Sequence, residues 1–191
     1  FIGAALSGFL IQRTSVPFEI LVRDDASTDE TSEIVRDYEQ RFNGIIRGFY
    51  EPRNSYERVR AFFELLGHAR GRYIAVCEGD DYWLDPEKLE RQFPTLELNP
   101  SVVISHLQAV VISSNGMFQS LDRVPHANGR ESTGEQLKRG NGSRNLTRFF
   151  RNVPLVRHPK EASFVGNDVW TSVQLGYFGG SVFQTDIAPA V

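Results

Sequence analysis

Short β-rich runs alternate with stretches of helical spacing between Phe18 and Ile112, and that alternation most constrains the fold. Residues 18–23, 45–50, 73–77 and 102–112 read as strands. Between them Ile34, Val35, Tyr38 and Phe42, then Val59, Phe62, Phe63 and Leu66, then Leu89, Phe93 and Leu96 recur at the spacing of one helix face, the last group behind Pro86. Such alternation predicts an α/β fold with a mostly parallel sheet and helices on its faces. The run Tyr73-Ile74-Ala75-Val76-Cys77 is apolar throughout, as in a strand covered on both sides. Ile2, Leu6, Phe9 and Leu10 predict an amphipathic helix at the start, with a strand ahead of it expected to lie outside the sequence. Both ends, Phe1 and the uncapped run 187–191, read as cut.

Residues 113–145 are rich in Gly, Ser, Asn and charge and read as one long loop, the kind that serves as a lid. Residues 145–150 and 168–177 read as helical, and 181–185 as a short strand. The 191 residues suit a single domain, divided into a part over 1–112 and a second part over 113–191 that carries the loop. With 14 Phe and 6 Tyr the chain is not a disordered one. No apolar run approaches the roughly 20 residues of a membrane-spanning helix. Cys77 is the single cysteine, which excludes an intrachain disulfide and a zinc site of several thiolates, and fits a reducing compartment. His68, His106, His126 and His158 are too scattered to read as a ligand set. Residues 123–160 hold nine Lys and Arg against Glu131 and Glu135, although the whole chain has a net charge of −3. This basic stretch suits an anionic ligand, or is a solvated surface with scattered arginines.

Two acidic clusters each follow a predicted strand: Asp24-Asp25 after the first, and Glu78-Gly79-Asp80-Asp81 after the apolar one. In open α/β sheets ligands bind at the carboxyl ends of the strands. The plainer reading makes each pair a turn or helix cap, and for Asp29 that reading is preferred. It fits Glu78, Asp80 and Asp81 less well, because like charges so crowded repel unless a cation relieves them. Mg²⁺ and Mn²⁺ take carboxylate oxygens and bridge to phosphates. Neither common Gly-rich phosphate loop is present, so a divalent metal would manage any phosphate charge.

Residues 18–31, Phe-Glu-Ile-Leu-Val-Arg-Asp-Asp-Ala-Ser-Thr-Asp-Glu-Thr, resemble the first nucleotide-binding segment of family 2 glycosyltransferases. Residues 73–89, with Glu78-Gly79-Asp80-Asp81-Tyr82-Trp83 at their centre, resemble that family's Asp-x-Asp-type segment and the helix after it. The two come in the family's order over residues 1–112, and the likeness fades beyond. The resemblance implies a Rossmann-like GT-A sheet and inverting, metal-dependent transfer of a sugar from a nucleotide diphosphate to an acceptor hydroxyl. By position, Asp25 matches the aspartate that hydrogen-bonds the base, with Asp24 beside it. Asp80 and Asp81 match the pair that holds the ribose and the metal, without deciding which touches the metal. Glu78 stands where the family commonly has Asp. Asn54 resembles the Asn before the second helix. Gly166-Asn167-Asp168-Val169-Trp170 resembles the segment supplying the base, with Asn167 in place of one acid and Asp168 the remaining candidate, although an Asp starting a helix is also a common cap.

The implied partners are a nucleotide-diphosphate sugar and a saccharide or lipid-linked acceptor. No nucleic acid is implied, and a homodimer is left open. The implied setting is polysaccharide biosynthesis in the cytoplasm, with a peripheral position at the inner membrane face as a further option. Two other readings compete: a non-catalytic module that keeps the nucleotide-sugar pocket, and a metal-dependent nucleotidyltransferase. Tyr82 and Trp83 could stack on a sugar ring, but aromatic residues behind a buried strand are more often core.

Overall fold

The computed structural model describes residues 1–54, 58–121, 131–140, 142–155 and 166–191. Helix α1 (Ile2–Leu10) leads into strand β1 (Ile20–Asp24), helix α2 (Thr31–Arg41) and strand β2 (Ile46–Tyr50). Strands β1 and β2 pair in parallel, Ile20 opposite Ile46 and Asp24 opposite Tyr50, as expected for a strand–helix–strand crossover. Val35 of α2 is fully buried against Leu6, Ile20 and Ile46, so the apolar face read from the sequence is the one that packs.

Helix α3 (Arg58–Leu66), strand β3 (Tyr73–Ala75), helix α4 (Lys88–Leu98) and strand β4 (Val102–His106) continue the alternation. Leu89 and Leu96 of α4 are buried and Phe93 packs beside them. The remaining elements are β5 (Val110–Ile112), β6 (Phe118–Leu121), β7 (Glu131–Ser132), α5 (Gly134–Lys138), β8 (Phe149–Arg151), α6 (Asn167–Leu175) and β9 (Gly180–Phe183). The larger sheet has the order β3-β8-β4-β9-β7. Strand β8 runs antiparallel to both β3 and β4, and β9 runs parallel to β4. Strands β3, β4 and β9 therefore share one direction, while β7 and β8 oppose it. The sheet is more mixed than strand–helix alternation alone implies. β8 follows β7 through α5 and a 3-10 turn and inserts between β3 and β4, antiparallel to both.

Two later segments differ from the sequence reading. Residues 145–150 are a 3-10 turn over Asn145–Thr147 followed by β8, not a helix. Phe149 enters one core cluster with Trp83 and Leu89, whereas Phe150 enters the other with Ile74 and Val103. Adjacent aromatics that serve opposite faces have the period of a strand. The stretch 113–145 holds β6, β7 and α5 rather than one loop, and residues 122–130 of it lie outside the described residues. Thr133 closes α5 with a capping box, its hydroxyl accepting from the Gln136 amide while the Gln136 side chain accepts from the Thr133 amide.

Among the described residues β1 pairs only with β2, and β3 only with β8. An apolar cavity of about 510 Å³ lies between β1 and β3, lined by Ile20, Leu21, Phe62, Ile74, Val76 and Phe149. No helix among the described residues is long and apolar enough to cross a membrane.

Candidate active site

Strand β1 delivers Asp24 and Asp25 to its carboxyl end, but the two side chains have different surroundings. Asp24 is buried, 4% exposed, and accepts hydrogen bonds from the Ser27 amide and from the hydroxyls of Ser27 and Ser32. Burial alone would raise its pKa, but these donors outweigh it and hold the carboxyl below its usual range. Asp24 therefore clasps the turn between β1 and α2. Asp25 is half-buried, with one oxygen 3.7 Å from Arg23 Nη2. Asp29 accepts from the Thr31 amide at 3.1 Å, the local role expected of it. Asn54 is exposed beyond β2.

The second cluster forms one turn after β3, closed by the Asp81 amide donating to the Glu78 carbonyl at 3.1 Å. Glu78 and Asp80 are exposed and Asp81 is half-buried. Burial, then the charges of Asp80 and Glu78, push the Asp81 carboxyl up to about 6, and Arg144 offsets part of this. This is the crowding expected from the sequence.

The turn stands on a rigid base. The Tyr82 amide donates to the Val191 carbonyl at 2.6 Å and the Val191 amide returns a bond to Tyr82 at 2.9 Å. The Ala188 amide donates to Asp85 Oδ2 at 3.0 Å. From the other side Gln12 donates to the Asp85 carbonyl at 2.7 Å and accepts from the Leu89 amide at 3.1 Å. Gly8 of α1 lies so close that a Cβ there would sit 2.8 Å from the Trp83 carbonyl oxygen. Trp83 itself is buried, tilted on Phe9 at 4.6 Å, with its indole N–H donating to the Leu146 carbonyl at 2.9 Å. It is core, as the plainer reading held, and not a sugar platform. Tyr82 is half-buried.

Lys88 begins α4 beneath this turn and is 1% exposed. Its ammonium lies 4.2 Å from the centre of the Trp83 ring and donates to Gln92 Oε1 at 2.7 Å. Gln92 in turn donates to the carbonyls of Ser105 and Thr147. Burial holds the Lys88 amine down to about 7. A base depressed by folding contributes its full stability above its ordinary value of 10.5 and loses it as the pH falls through 7. Lys88→Met is therefore expected to stabilise the fold by roughly 1–4 kcal/mol near neutral pH. The gain should be larger in mildly acidic than in alkaline buffer; melting curves across that range would check it.

Asp168 lies in the first turn of α6, with Oδ1 accepting from the Val169 amide at 2.8 Å. Its carboxylate thus also satisfies a helix-start amide, as the cap reading anticipated, although Gly166 is the capping residue. The Asn167 side chain lies outside the described residues. The fully buried Arg148 lies within electrostatic reach of both Asp168 and Glu78. Burial pulls the guanidinium down to about 10, so it stays protonated at neutral pH. Sequence reading counted Arg148 among scattered basic residues; no local signal distinguishes a buried arginine from an exposed one. Arg144, which reaches Asp81, was passed over in the same way.

Among the described residues no group of three or more His, Cys, Asp and Glu side chains is assembled around a metal position. Asp80 and Asp81 still fit a hard divalent ion. Such ions are often held by one or two carboxylates and completed by phosphate and water, and the raised Asp81 carboxyl marks negative charge that a cation would relieve.

A mixed α/β fold with carboxylates at the strand ends is the architecture of GT-A glycosyltransferases. The glycosyl transferase family 2 model matches residues 1–153, and the chain belongs to that family. An uncharacterised Mycobacterium tuberculosis protein, Rv1520, is 40% identical over 120 residues, which is 63% of this chain and 34% of that protein. The chain thus spans about a third of the length of this and two further curated mycobacterial relatives. Staphylococcus aureus TarS in complex with UDP superposes with a TM-score of 0.71 at 17% identity, over 100% of this chain and 55% of that one. The Pyrobaculum calidifontis mannosyltransferase PcManGT, in complex with GDP-Man and Mn²⁺, gives 0.64 at 17% identity over 97% and 51%.

Proposed function

We propose that this chain carries the donor-binding and catalytic centre of an inverting, metal-dependent glycosyltransferase of polysaccharide biosynthesis. The supporting observation is the turn over Glu78–Asp81, where burial and the charges of Asp80 and Glu78 push Asp81 up to about 6. The donor is a nucleoside diphosphate sugar; the UDP held by TarS and the GDP-Man held by PcManGT support that class. Residues 1–112 form the donor part and 113–191 the acceptor part.

Asp25 reads the base, with Asp24 holding the turn that presents it, and Asn54 lies on the same side. Asp80 and Asp81 hold the ribose and a Mn²⁺ or Mg²⁺ ion. When bound, that ion supplies Lewis-acid neutralisation of the departing diphosphate. Asp168 accepts the proton of the acceptor hydroxyl as its oxygen attacks the anomeric carbon from the face opposite the leaving group, which inverts the configuration. The acceptor is a saccharide or lipid-linked hydroxyl, and the basic residues of 123–160 favour an anionic one; a cytoplasmic, membrane-peripheral setting would suit it.

Asp168→Asn tests the base directly. Transfer should fall by roughly 10²–10⁴-fold, the usual worth of a positioned base, with donor affinity kept. Wild-type turnover in that variant would remove Asp168 from the mechanism.

A further inference from the structure

We propose that Arg148 is a positioning residue that fixes Asp168 relative to the turn before β8, which the Trp83 indole in turn ties to the acidic segment. The inference rests on the reading of Asp168 as the base. The Arg148 side chain is 1% exposed and spreads its fork over the start of α6. Nη1 donates to the Asp168 carbonyl at 2.9 Å and Nη2 to Ser172 Oγ at 2.9 Å. The Ser172 hydroxyl donates to the same Asp168 carbonyl at 2.7 Å, closing a ring across one helical turn. Nε donates to Ser143 Oγ at 3.2 Å, and Nη1 also reaches Asn145 Oδ1 at 3.4 Å. Gly142 leaves the room, since a Cβ there would lie 2.8 Å from Nη2 and 2.5 Å from Ser172 Oγ.

All of these acceptors are neutral. Among the described residues no carboxylate touches this guanidinium; burying it so is costly, and an apolar side chain would fill the volume more cheaply. What an apolar side chain lacks is the planar fork, which grips two points of α6 at once and ties them to the turn before β8. Because Asp168 Oδ1 is bound to the Val169 amide, fixing that helical turn also fixes the carboxylate. The charge is balanced at longer range by Asp168 and by Glu78 of the acidic turn.

The test compares Arg148→Lys, Arg148→Met, Ser172→Ala and Asp168→Asn in steady-state transfer, with melting curves for each. Arg148→Lys keeps the charge and loses the fork; it should lower kcat by roughly 10- to 100-fold with the donor KM unchanged, the scale of a small misplacement of a reacting group. Arg148→Met should do the same or worse, and Ser172→Ala should lower kcat by a smaller factor. An inactive Asp168→Asn beside an Arg148→Lys of wild-type kcat, or one altered only in KM, would overturn the positioning role alone. A fully active Asp168→Asn would instead overturn the reading of the base, and the positioning role with it. Should neither Arg148 variant fold, Ser172→Ala decides: a folded variant with unchanged kcat overturns the proposal.

Discussion

Replacing Asp81 by Asn is expected to abolish sugar transfer, by at least roughly 10²–10³-fold in kcat, and to raise the melting temperature at neutral pH. The two effects have one cause. Asp81 is raised from 3.8 to about 6 by burial and by its neighbours Asp80 and Glu78, so the folded protein holds this carboxylate against its preference. A carboxyl raised by folding contributes its full stability below 3.8 and loses it as the pH rises through 6. The amide removes the repulsion, so its advantage should be greatest above that window and vanish below it. Because Asp81 is only half-buried, solvent screening limits the gain to about 1 kcal/mol, which is about 2–4 °C for a chain of this size. Melting curves of the two proteins in acidic and neutral buffer, beside a transfer assay, measure both. A variant that melts lower at neutral pH would mean that Asp81 is held by structural partners and not by a ligand-directed strain.

Trp83→Ala is expected to cost ~3–5 kcal/mol, the usual range for deleting a buried aromatic, and so to lower the melting temperature by about 10 °C. Three losses combine in it. The ring leaves a cavity among Leu89, Leu146, Phe149 and Ala190, the Leu146 carbonyl loses its donor, and the Lys88 ammonium loses the π face it lies against. Trp83→Phe keeps most of the packing and the π face but not the N–H, and should cost about 1–3 kcal/mol. Acceptor and donor KM should respond to Trp83→Phe far less than stability does. A Trp83→Ala protein that melts like the wild type but binds donor poorly would make Trp83 a ligand platform after all.

The first half of the chain was legible because its elements are local. The apolar faces of α2 and α4 follow helical spacing, and β1 to β3 are short apolar runs bounded by turns, so periodicity alone identified them. The second half depends on distant partners. Phe149 and Phe150 look like part of a helical stretch beside Asn145-Leu146-Thr147, but they lie between β3 and β4, and only those strands make them a strand. Such tertiary override is the usual reason local propensity fails. Strand β7 is Glu131-Ser132, too short to carry any pattern, and exists through its pairing with β9.

The acidic turn was legible for a related reason: charge crowded after a buried strand is visible in one dimension. Its supports were not. Gln12, Gln92, Arg148 and the 187–191 segment act across long sequence separations, and a polar side chain in a sequence does not announce that it will be buried. Asp24 shows the opposite case, a residue chosen by motif that the fold engages with Ser27 and Ser32.

Calorimetric titration of UDP into the protein, with Mn²⁺ and then with EDTA in its place, tests the acidic turn most directly. Binding is expected with Mn²⁺, and it should be lost both in EDTA and in Asp81→Asn. Equal affinity in all three would contradict a role for Asp80 and Asp81 in holding a cation needed for donor binding.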